Sequence, residues 1–394
     1  MKDDKKRINV LYSFPHKLGA GRICHTAWQQ VYGLATAGAN VTVETGVLHR
    51  TLPERVQVHT TLACGKLRIS YKLLGTLRAC ALHDFLVSQK LKKLKGKIDI
   101  VHTWPLAAML TLKTAESMGI PTVLERPNSH TRYGYTVVNR ECESLGIKLP
   151  PGDNHAYNAK ILNKEEKEYQ LAFRILCPSD FVAHTFMEQG FSREKLVRHI
   201  YGYDEKRFFP SNETRNRNRG LKMLFVGVCG VVKGVHYALE AWLKSSAHKD
   251  GLFSIAGEFV PGYAEKLSPM LSDPSVNVLG PRNDVDALMR ESDILILPSI
   301  TEGFGLVCAE AMGSGCVPLV SNSCTDICIN MENSLVHSVG DVKTITEHID
   351  KLNNDRELLD KLRIGALNTA PYVTWEKAGM RLLNVYREVI ESFR

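Results

Sequence analysis

Two glutamates eight positions apart frame a glycine-rich segment in the second half of the chain. The segment reads SITEGFGLVCAEAMGSGCVPLVS over residues 299–321, with Glu302 near its start and Glu310 in its middle. Gly303 and Gly305 carry no Cβ atom, so the backbone that follows can approach an anion closely. We predict a short helix that begins near Gly305. Its free amides would be those of Gly305, Leu306 and Val307.

The spacing of the two carboxylates suits a nucleotide sugar. At 1.5 Å per residue, eight helical positions span about 12 Å, which is the scale of a sugar, a diphosphate and a ribose in line. Glu302 would accept hydrogen bonds from sugar hydroxyls, the helix start would hold the diphosphate, and Glu310 would accept from the ribose. Spacing alone leaves a second interpretation open, in which Glu302 is only a charged residue near the start of a buried helix.

Ten strand-like runs alternate with helical patterns and must position these residues. Five lie in the first half, at 8–14, 40–46, 98–104, 121–126 and 174–179. Five more lie in the second half, at 222–228, 251–257, 276–280, 294–299 and 316–321. This alternation is typical of parallel βαβ units. A polar, basic stretch at 211–220 separates the two sets.

We therefore predict an α/β protein with two Rossmann-like domains whose parallel sheets face a central cleft. The predicted acceptor-binding domain covers residues 1–205, the predicted nucleotide-sugar domain covers 206–373, and a closing amphipathic helix covers 374–394. Ligands of open α/β sheets bind beyond the carboxyl ends of the strands. Glu302 follows the run ILILPS directly and so falls in the expected place.

The composition excludes several classes of protein. The 394 residues are 44% hydrophobic and 23% charged, as in soluble globular proteins. No apolar run approaches the roughly 20 residues that a membrane-spanning helix needs. The ten cysteines show neither a disulfide framework nor a zinc spacing, which indicates reduced thiols in a cytoplasmic protein.

The net charge of +8 is concentrated in the first half of the chain. Residues 51–100 hold ten basic and three acidic residues, and residues 66–97 mix Lys and Arg with apolar residues at helical spacing. Such a stretch can lie on the cytoplasmic face of an anionic membrane, where each cation contributes about 1 kcal/mol. It can equally be a helix with a basic face in water, and both interpretations stay open. Nucleic acid is not expected as a partner, because aromatic side chains do not alternate with the charges.

The segment from Glu302 to Glu310 resembles the E-x7-E motif of family four glycosyltransferases, the group 1 glycosyltransferases. That family is retaining and has the GT-B fold. LFVGVCGVVKGVHYALEA at 224–241 is similar to the family's phosphate-binding strand, loop and helix, and VTWEKAGMRLLNVYREV at 373–389 is similar to its closing helix. The resemblance covers nearly all of residues 170–394 and, more loosely, residues 8–140.

The resemblance implies roles for individual residues. It implies catalytic roles for His130 beside the donor sugar, for Lys233 at the phosphates and for Glu302. His102 is a rival for the histidine position, and Arg126 is a further candidate contact. The implied donor-binding residues are Gly19 and Gly21 of a first-domain glycine loop, Arg282 near the base, and Gly303, Phe304, Gly305, Leu306, Val307 and Glu310. The chain departs from the family at Val228, where an arginine is usual.

The implied function is retaining transfer of a hexose-type sugar from a nucleotide-diphosphate sugar to a glycan or lipid-linked acceptor. Lys233 and helix amides would stabilise the charge on the leaving diphosphate. No metal and no cofactor besides the donor are expected, since Asp284 and Asp286 fall at a helix start that favours capping. A non-catalytic sugar-nucleotide-binding protein and a nucleotide-sugar epimerase of the same fold remain as alternatives.

Overall fold

A computed structural model describes residues 7–64, 67–68, 74–150, 152–211 and 219–394. It contains two parallel sheets that follow one another along the chain. The strands of the N-terminal half are β1 (Asn9–Leu18), β2 (Asn40–Leu48), β3 (Gln57–Thr60), β4 (Ala63–Cys64), β5 (Leu67–Arg68), β6 (Ile100–Thr103), β7 (Thr122–Glu125), β8 (Arg174–Cys177) and β9 (Leu196–Arg198). Those of the C-terminal half are β10 (Lys222–Val226), β11 (Leu252–Ala256), β12 (Val276–Val278), β13 (Ile294–Leu297), β14 (Val317–Ser321) and β15 (Leu335–His337).

The helices lie between the strands, as a parallel sheet requires. In the N-terminal half they are α1 (Ile23–Thr36), α2 (Thr76–Lys93), α3 (Met109–Ser117), α4 (Thr131–Leu145), α5 (Ala159–Leu171) and α6 (Asp180–Met187). In the C-terminal half they are α7 (Val235–Lys244), α8 (Tyr263–Leu271), α9 (Val285–Glu291), α10 (Leu306–Gly313), α11 (Val342–Asn354), α12 (Arg356–Thr369) and α13 (Trp375–Phe393).

Each half forms a doubly wound sheet. The seven-stranded sheet has the order β3-β2-β1-β6-β7-β8-β9, and the six-stranded sheet has the order β12-β11-β10-β13-β14-β15. Every pairing within these two sheets is parallel, while β4 and β5 form a separate antiparallel pair. We call the parts built on the two sheets the N-terminal and C-terminal domains. The predicted α/β class with two parallel sheets is confirmed.

The central strands are buried because helices cover both faces of each sheet. All four residues of β6, of β7 and of β13 are buried. Each of the ten runs predicted from the sequence overlaps one strand of the two sheets, and β1 and β2 extend beyond their predicted runs. The short edge strands β3, β9 and β15 were not predicted, since three or four residues give too little alternation to detect.

The last helix returns to the N-terminal domain. A Cβ atom on Gly33 of α1 would lie 2.8 Å from the Cα atom of Gly379 in α13, so these glycines let the helices touch along their backbones. Thr374 caps α13 by accepting a hydrogen bond from the Lys377 amide at 3.3 Å. The boundaries 1–205, 206–373 and 374–394 stay predictions, and residues 212–218 between the sheets lie outside the described residues.

The basic segment 66–97 is only partly described, because residues 66 and 69–73 fall outside the described ranges. Its described part is α2, whose Val87 and Leu91 pack with Leu11 of β1 and Val101 of β6. Phe85 and Leu86 of the same helix are exposed. None of the helices in the described ranges combines the length and the hydropathy that a bilayer crossing requires.

Candidate functional site

The predicted short helix is α10, and Gly305 is its N-cap residue. Gly305 has φ +64°, and a Cβ atom there would lie 2.7 Å from the Cys324 sulfur. Glycine is therefore required by backbone conformation and by space. The helix begins at Leu306, so the amides of Leu306 and Val307 have no acceptor within the helix. This end of α10 can bind an anion.

Lys233 and Glu302 form an ion pair beside this helix start. Lys233 ends a 3-10 turn after β10, Glu302 follows β13, and β10 and β13 are neighbours in the sheet. Lys233 Nζ donates a hydrogen bond to Glu302 Oε2, and the Gly303 amide donates to Oε1 at 3.1 Å. The side chains are 26% and 12% exposed. The pair is thus desolvated and still open on one side.

Electrostatics keep both members of the pair charged. Burial alone raises the pKa of Glu302, but the positive charge and hydrogen bond of Lys233 outweigh it, and the pKa lies below its ordinary value. Burial lowers the pKa of Lys233, and the Glu302 carboxylate more than reverses this. At neutral pH the site therefore presents one cation and one carboxylate.

A cavity of about 250 Å³ separates the two domains at this pair. The C-terminal domain contributes Val232, Lys233, Thr301 and Glu302, and the N-terminal domain contributes Arg126, Asn128, Ser129, Thr131, Gly134, Tyr135, Asn154 and His155. The walls touch directly, since Thr301 Oγ1 donates to Ser129 Oγ at 2.8 Å. A Cβ atom on Gly303 would lie 1.6 Å from the Pro127 carbonyl oxygen, so only glycine permits this approach.

Arg126 brings a second cation to the cavity from the N-terminal domain. Its Nε and one terminal nitrogen donate to the Ser129 carbonyl oxygen at 3.0 and 2.7 Å, and its other terminal nitrogen lies 3.5 Å from Glu165. These contacts fix the guanidinium. Val228, at the place of the usual arginine, has an exposed side chain. Arg126 therefore supplies a positive charge to the cavity. The residues next to Val228 in the sequence do not indicate that charge.

His130 is not among the residues that line the cavity, although its chain neighbours Ser129 and Thr131 are. Its ring is buried among Tyr169, Phe186 and Phe191, with centroid distances of 5.1, 4.8 and 5.8 Å. Its Nδ1 accepts a hydrogen bond from the Arg132 amide and so caps α4. Burial, followed by the charges of Arg126 and Arg132, lowers its pKa to about 3. Contact with the donor sugar stays a prediction for this residue.

His102, the rival, is also buried. Its Nδ1 lies 2.6 Å from the hydroxyl of Tyr386 in α13, and its Nε2 lies 3.5 Å from Glu125. The histidine that does line the cavity is His155, which precedes α5 in an irregular segment. Sequence reasoning missed it, because a His in a Pro- and Gly-containing loop has no neighbouring strand end to mark it.

The other predicted donor-binding residues fall into three environments. Glu310 lies one turn into α10, partly exposed; burial raises its pKa to about 7, with Arg207 lowering it and Asp204 raising it. Phe304 is a core residue whose ring lies 5.6 Å from that of Tyr201. Arg282 is an exposed residue that pairs with Asp284.

The predicted glycine loop lies directly after β1. A Cβ atom on Gly19, which has φ +88°, would lie 2.5 Å from Cβ of Arg50, whereas one on Gly21 would meet nothing within 4 Å. Neither glycine is among the residues that line the cavity. Gly19 is thus explained by its backbone, and a diphosphate contact stays a prediction for both glycines.

Fold and site together define a class of protein. Two parallel α/β domains meet at a cavity lined by a lysine and a carboxylate, and α10 begins shortly after that carboxylate, although Gly305, Leu306 and Val307 are not among the cavity residues. Two such domains around a central cleft are the arrangement of a GT-B glycosyltransferase. Residues 207–368 match the sequence profile of the family described as glycosyl transferases group 1. D-inositol 3-phosphate glycosyltransferase 1 of Catenulispora acidiphila is 34% identical over 337 residues, which are 76% of this chain and 74% of that one. The chain belongs to the group 1 glycosyltransferase family.

Other relatives match over shorter regions. An N,N'-diacetylbacillosaminyl-diphospho-undecaprenol alpha-1,3-N-acetylgalactosaminyltransferase of Campylobacter jejuni is 30% identical over 124 residues. That match covers 31% of this chain and 33% of the Campylobacter protein, so the chain spans about a third of that relative's length. The shared region shows common descent of a segment. This match therefore does not assign the substrates of the Campylobacter enzyme to this chain.

Solved structures agree with the fold over the full length. Sucrose-phosphate synthase of Thermosynechococcus elongatus superposes with a TM-score of 0.72 at 16% identity, over 98% of this chain and 100% of that one. HepE of Anabaena, solved in complex with UDP and glucose, superposes with a TM-score of 0.67 at 12% identity, over 97% and 100%. The predicted GT-B architecture is confirmed.

Proposed function

We propose that this protein is a retaining glycosyltransferase that moves a hexose-type sugar from a nucleotide-diphosphate sugar to a glycan or lipid-linked acceptor. The observation that carries the proposal is the Lys233–Glu302 ion pair, which faces an interdomain cavity beside the free amides of α10. A structural ion pair needs no such opening. A donor that carries both phosphates and hydroxyls would engage the cation, the amides and the carboxylate together.

Donor binding rearranges the ion pair. A diphosphate at the start of α10 competes with Glu302 for the Lys233 ammonium, because both are anionic oxygen acceptors. Once Lys233 turns to the phosphate, Glu302 is free to accept hydrogen bonds from sugar hydroxyls. The Gly303 amide, which donates to Glu302 at 3.1 Å, keeps the carboxylate oriented. Glu310, further along α10, accepts from the ribose hydroxyls.

Transfer depends on stabilising the leaving diphosphate. Lys233 and the amides of Leu306 and Val307 supply fixed positive charge where negative charge develops, and Arg126 adds a second cation from the opposite wall. Among the described residues that line the cavity, Glu302 is the only carboxylate. This supports same-face attack, in which the departing phosphate takes the acceptor proton, rather than a pair of protein carboxylates.

The acceptor is proposed to bind on the N-terminal side of the cavity. The name of the Campylobacter relative describes an undecaprenol-diphosphate acceptor, which supports a lipid-linked class. Exposed Phe85 and Leu86 on the basic helix α2 support peripheral attachment to an anionic membrane surface. Sedimentation with anionic liposomes at low salt, and release at high salt, is the expected result. Equal recovery in the soluble fraction at both salt concentrations contradicts it.

The donor is identified by a panel of UDP-, GDP- and ADP-sugars, with donor hydrolysis and transfer as readouts. One donor class should give turnover.

Lys233→Ala and Glu302→Ala should each lower kcat/KM by about 10²–10³, since each removes a group that acts on the transition state. Lys361→Ala is the matched control, because Lys361 is an exposed lysine of α12 that is not among the cavity residues. Full turnover in both site variants contradicts the proposal.

A sugar-nucleotide-binding protein without catalysis is the second candidate. The observation in its favour is Val228, which stands where the family usually has an arginine. Arg126, on the other wall, is expected to replace that charge. If a donor binds tightly but neither hydrolysis nor transfer occurs with any acceptor fraction, the binding function replaces the catalytic one.

A further inference from the structure

We propose that His155 contacts the transferred sugar of the donor and, with Glu302, holds that sugar between the two domains. The inference rests on the proposed function and assigns a residue that the chain's motifs do not mark.

His155 is the one histidine among the described residues that line the Lys233–Glu302 cavity. The charges of Lys233, Glu302 and Arg126 all act on its imidazole, which places the ring among the groups proposed to bind the donor. His130, at the position that the resemblance favours, is enclosed by three aromatic rings. The cavity therefore has an imidazole, but it comes from a different element.

The loop that carries His155 is held by specific contacts. The His155 amide donates to Asp153 Oδ1 at 2.7 Å, and the Ala156 amide donates to the Asp153 carbonyl at 3.1 Å. Asn158 then caps α5 by accepting from two helix amides. The ring of Tyr157 packs edge-on against Tyr135, a cavity residue, at 5.5 Å. These contacts fix the backbone on both sides of the imidazole.

The chemistry of the ring suits a neutral hydroxyl better than a phosphate. Burial lowers the pKa of His155, Lys233 and Arg126 lower it further, and Asp153 and Glu302 act in the opposite direction. A neutral imidazole has one donor and one acceptor nitrogen, which matches a sugar hydroxyl. The diphosphate has cationic partners of its own in Lys233 and the start of α10, so His155 is left for the sugar.

The experiment measures the contributions of the sugar and of the nucleotide to binding separately. Calorimetry would measure the binding of UDP and UDP-glucose, GDP and GDP-mannose, and ADP and ADP-glucose to the wild-type protein, and then the pair that binds would be measured with His155→Ala. We expect His155→Ala to weaken the nucleotide sugar about tenfold and the free nucleoside diphosphate less than twofold, since one sugar hydrogen bond is lost. His155→Gln, which keeps a donor and an acceptor, should recover part of the loss.

His184→Ala is the matched control, because His184 is an exposed histidine of the same domain whose partner is Glu188. It should change neither affinity, and unchanged melting temperatures would show that all variants fold. Equal affinities in His155→Ala and wild type, or an equal loss for nucleotide and nucleotide sugar, overturn the role of His155 and leave the proposed function standing. A wild-type protein that binds none of the three pairs overturns the proposed function itself.

Discussion

Glu125 and Glu302 are both desolvated glutamates near the carboxyl ends of central strands, yet their surroundings differ. Glu125 is fully buried at the end of β7, where His199 and Tyr201 lie 2.9 and 2.8 Å from one oxygen. Gln30 donates to its other oxygen at 2.8 Å, and His102 lies 3.5 Å away. Glu302 accepts from Lys233, from the Gly303 amide and, at 3.5 Å, from the Ser299 hydroxyl, and it lines the cavity.

The difference separates a structural carboxylate from a binding one. Burial raises the pKa of Glu125, and the charge and hydrogen bond of His199 more than offset it, so the Glu125 carboxylate stays charged with its acceptor sites filled. It joins β7, the residues after β9 and, through His102 and Tyr386, the last helix. Glu302 keeps acceptor capacity unused. A buried charge by itself does not mark a site, whereas a buried charge with an open side does.

The largest expected effect is on folding stability at Glu125. Glu125→Ala should lower the free energy of unfolding by about 3–5 kcal/mol, because it leaves buried His and Tyr groups without their acceptor. Glu302→Ala should remove transfer but lower the free energy of unfolding by less, because the Lys233 side chain that loses its partner is 26% exposed and can be solvated from the cavity. Urea unfolding monitored by circular dichroism measures both. Similar losses of unfolding free energy for the two variants would show that Glu125 and Glu302 do not differ in structural role.

A smaller effect is expected where the network of Glu125 reaches the last helix. Tyr386→Phe removes the hydroxyl that meets His102 at 2.6 Å and should cost about 1–3 kcal/mol of unfolding free energy, since a buried ring nitrogen loses its partner. Tyr372→Phe is the control, because Tyr372 is 65% exposed. If the two variants unfold alike, His102 and Tyr386 do not tie α13 to the N-terminal sheet.

The smallest effect is expected at Glu310. Its pKa of about 7 means that it is neutral in acid and charged above pH 7, and a charged acceptor binds ribose hydroxyls more strongly. Nucleotide-sugar affinity should rise about two- to fivefold from pH 6 to pH 8, by calorimetry, and Glu310→Gln should flatten the profile. A profile that Glu310→Gln leaves unchanged assigns the titration to another group.

The raised pKa of Glu310 also determines how the stability of the folded protein changes with pH. Because the folded pKa lies above the ordinary 4.5, the stabilisation from Glu310 is full below pH 4.5 and is lost as pH rises through about 7. Above about pH 7, Glu310 is charged and binds the ligand best. In the same pH range its charge destabilises the protein without ligand.

Local sequence was sufficient wherever a single segment encodes the outcome. Gly305 and the apolar run after it define the start of α10, because only glycine adopts that backbone beside Cys324. The strand runs before Lys233 and Glu302 placed both at the same edge of one sheet, so their meeting could be predicted. His130 and His155 could not be ranked correctly this way. A strand end precedes His130 and none precedes His155, so the local pattern favours His130, and only the packing of Phe186 and Phe191 shows that the His130 ring is enclosed.

The sequence by itself determined the two parallel sheets, the helix start at Gly305 and the membership in a glycosyltransferase family, because these depend on periodicity, glycine geometry and a contiguous motif. Only the tertiary structure decided that Arg126 and His155 share a cavity with Lys233 and Glu302. The residues of its two walls lie far apart in the sequence. Contacts of such range arise from packing and solvent exclusion, which no local pattern encodes.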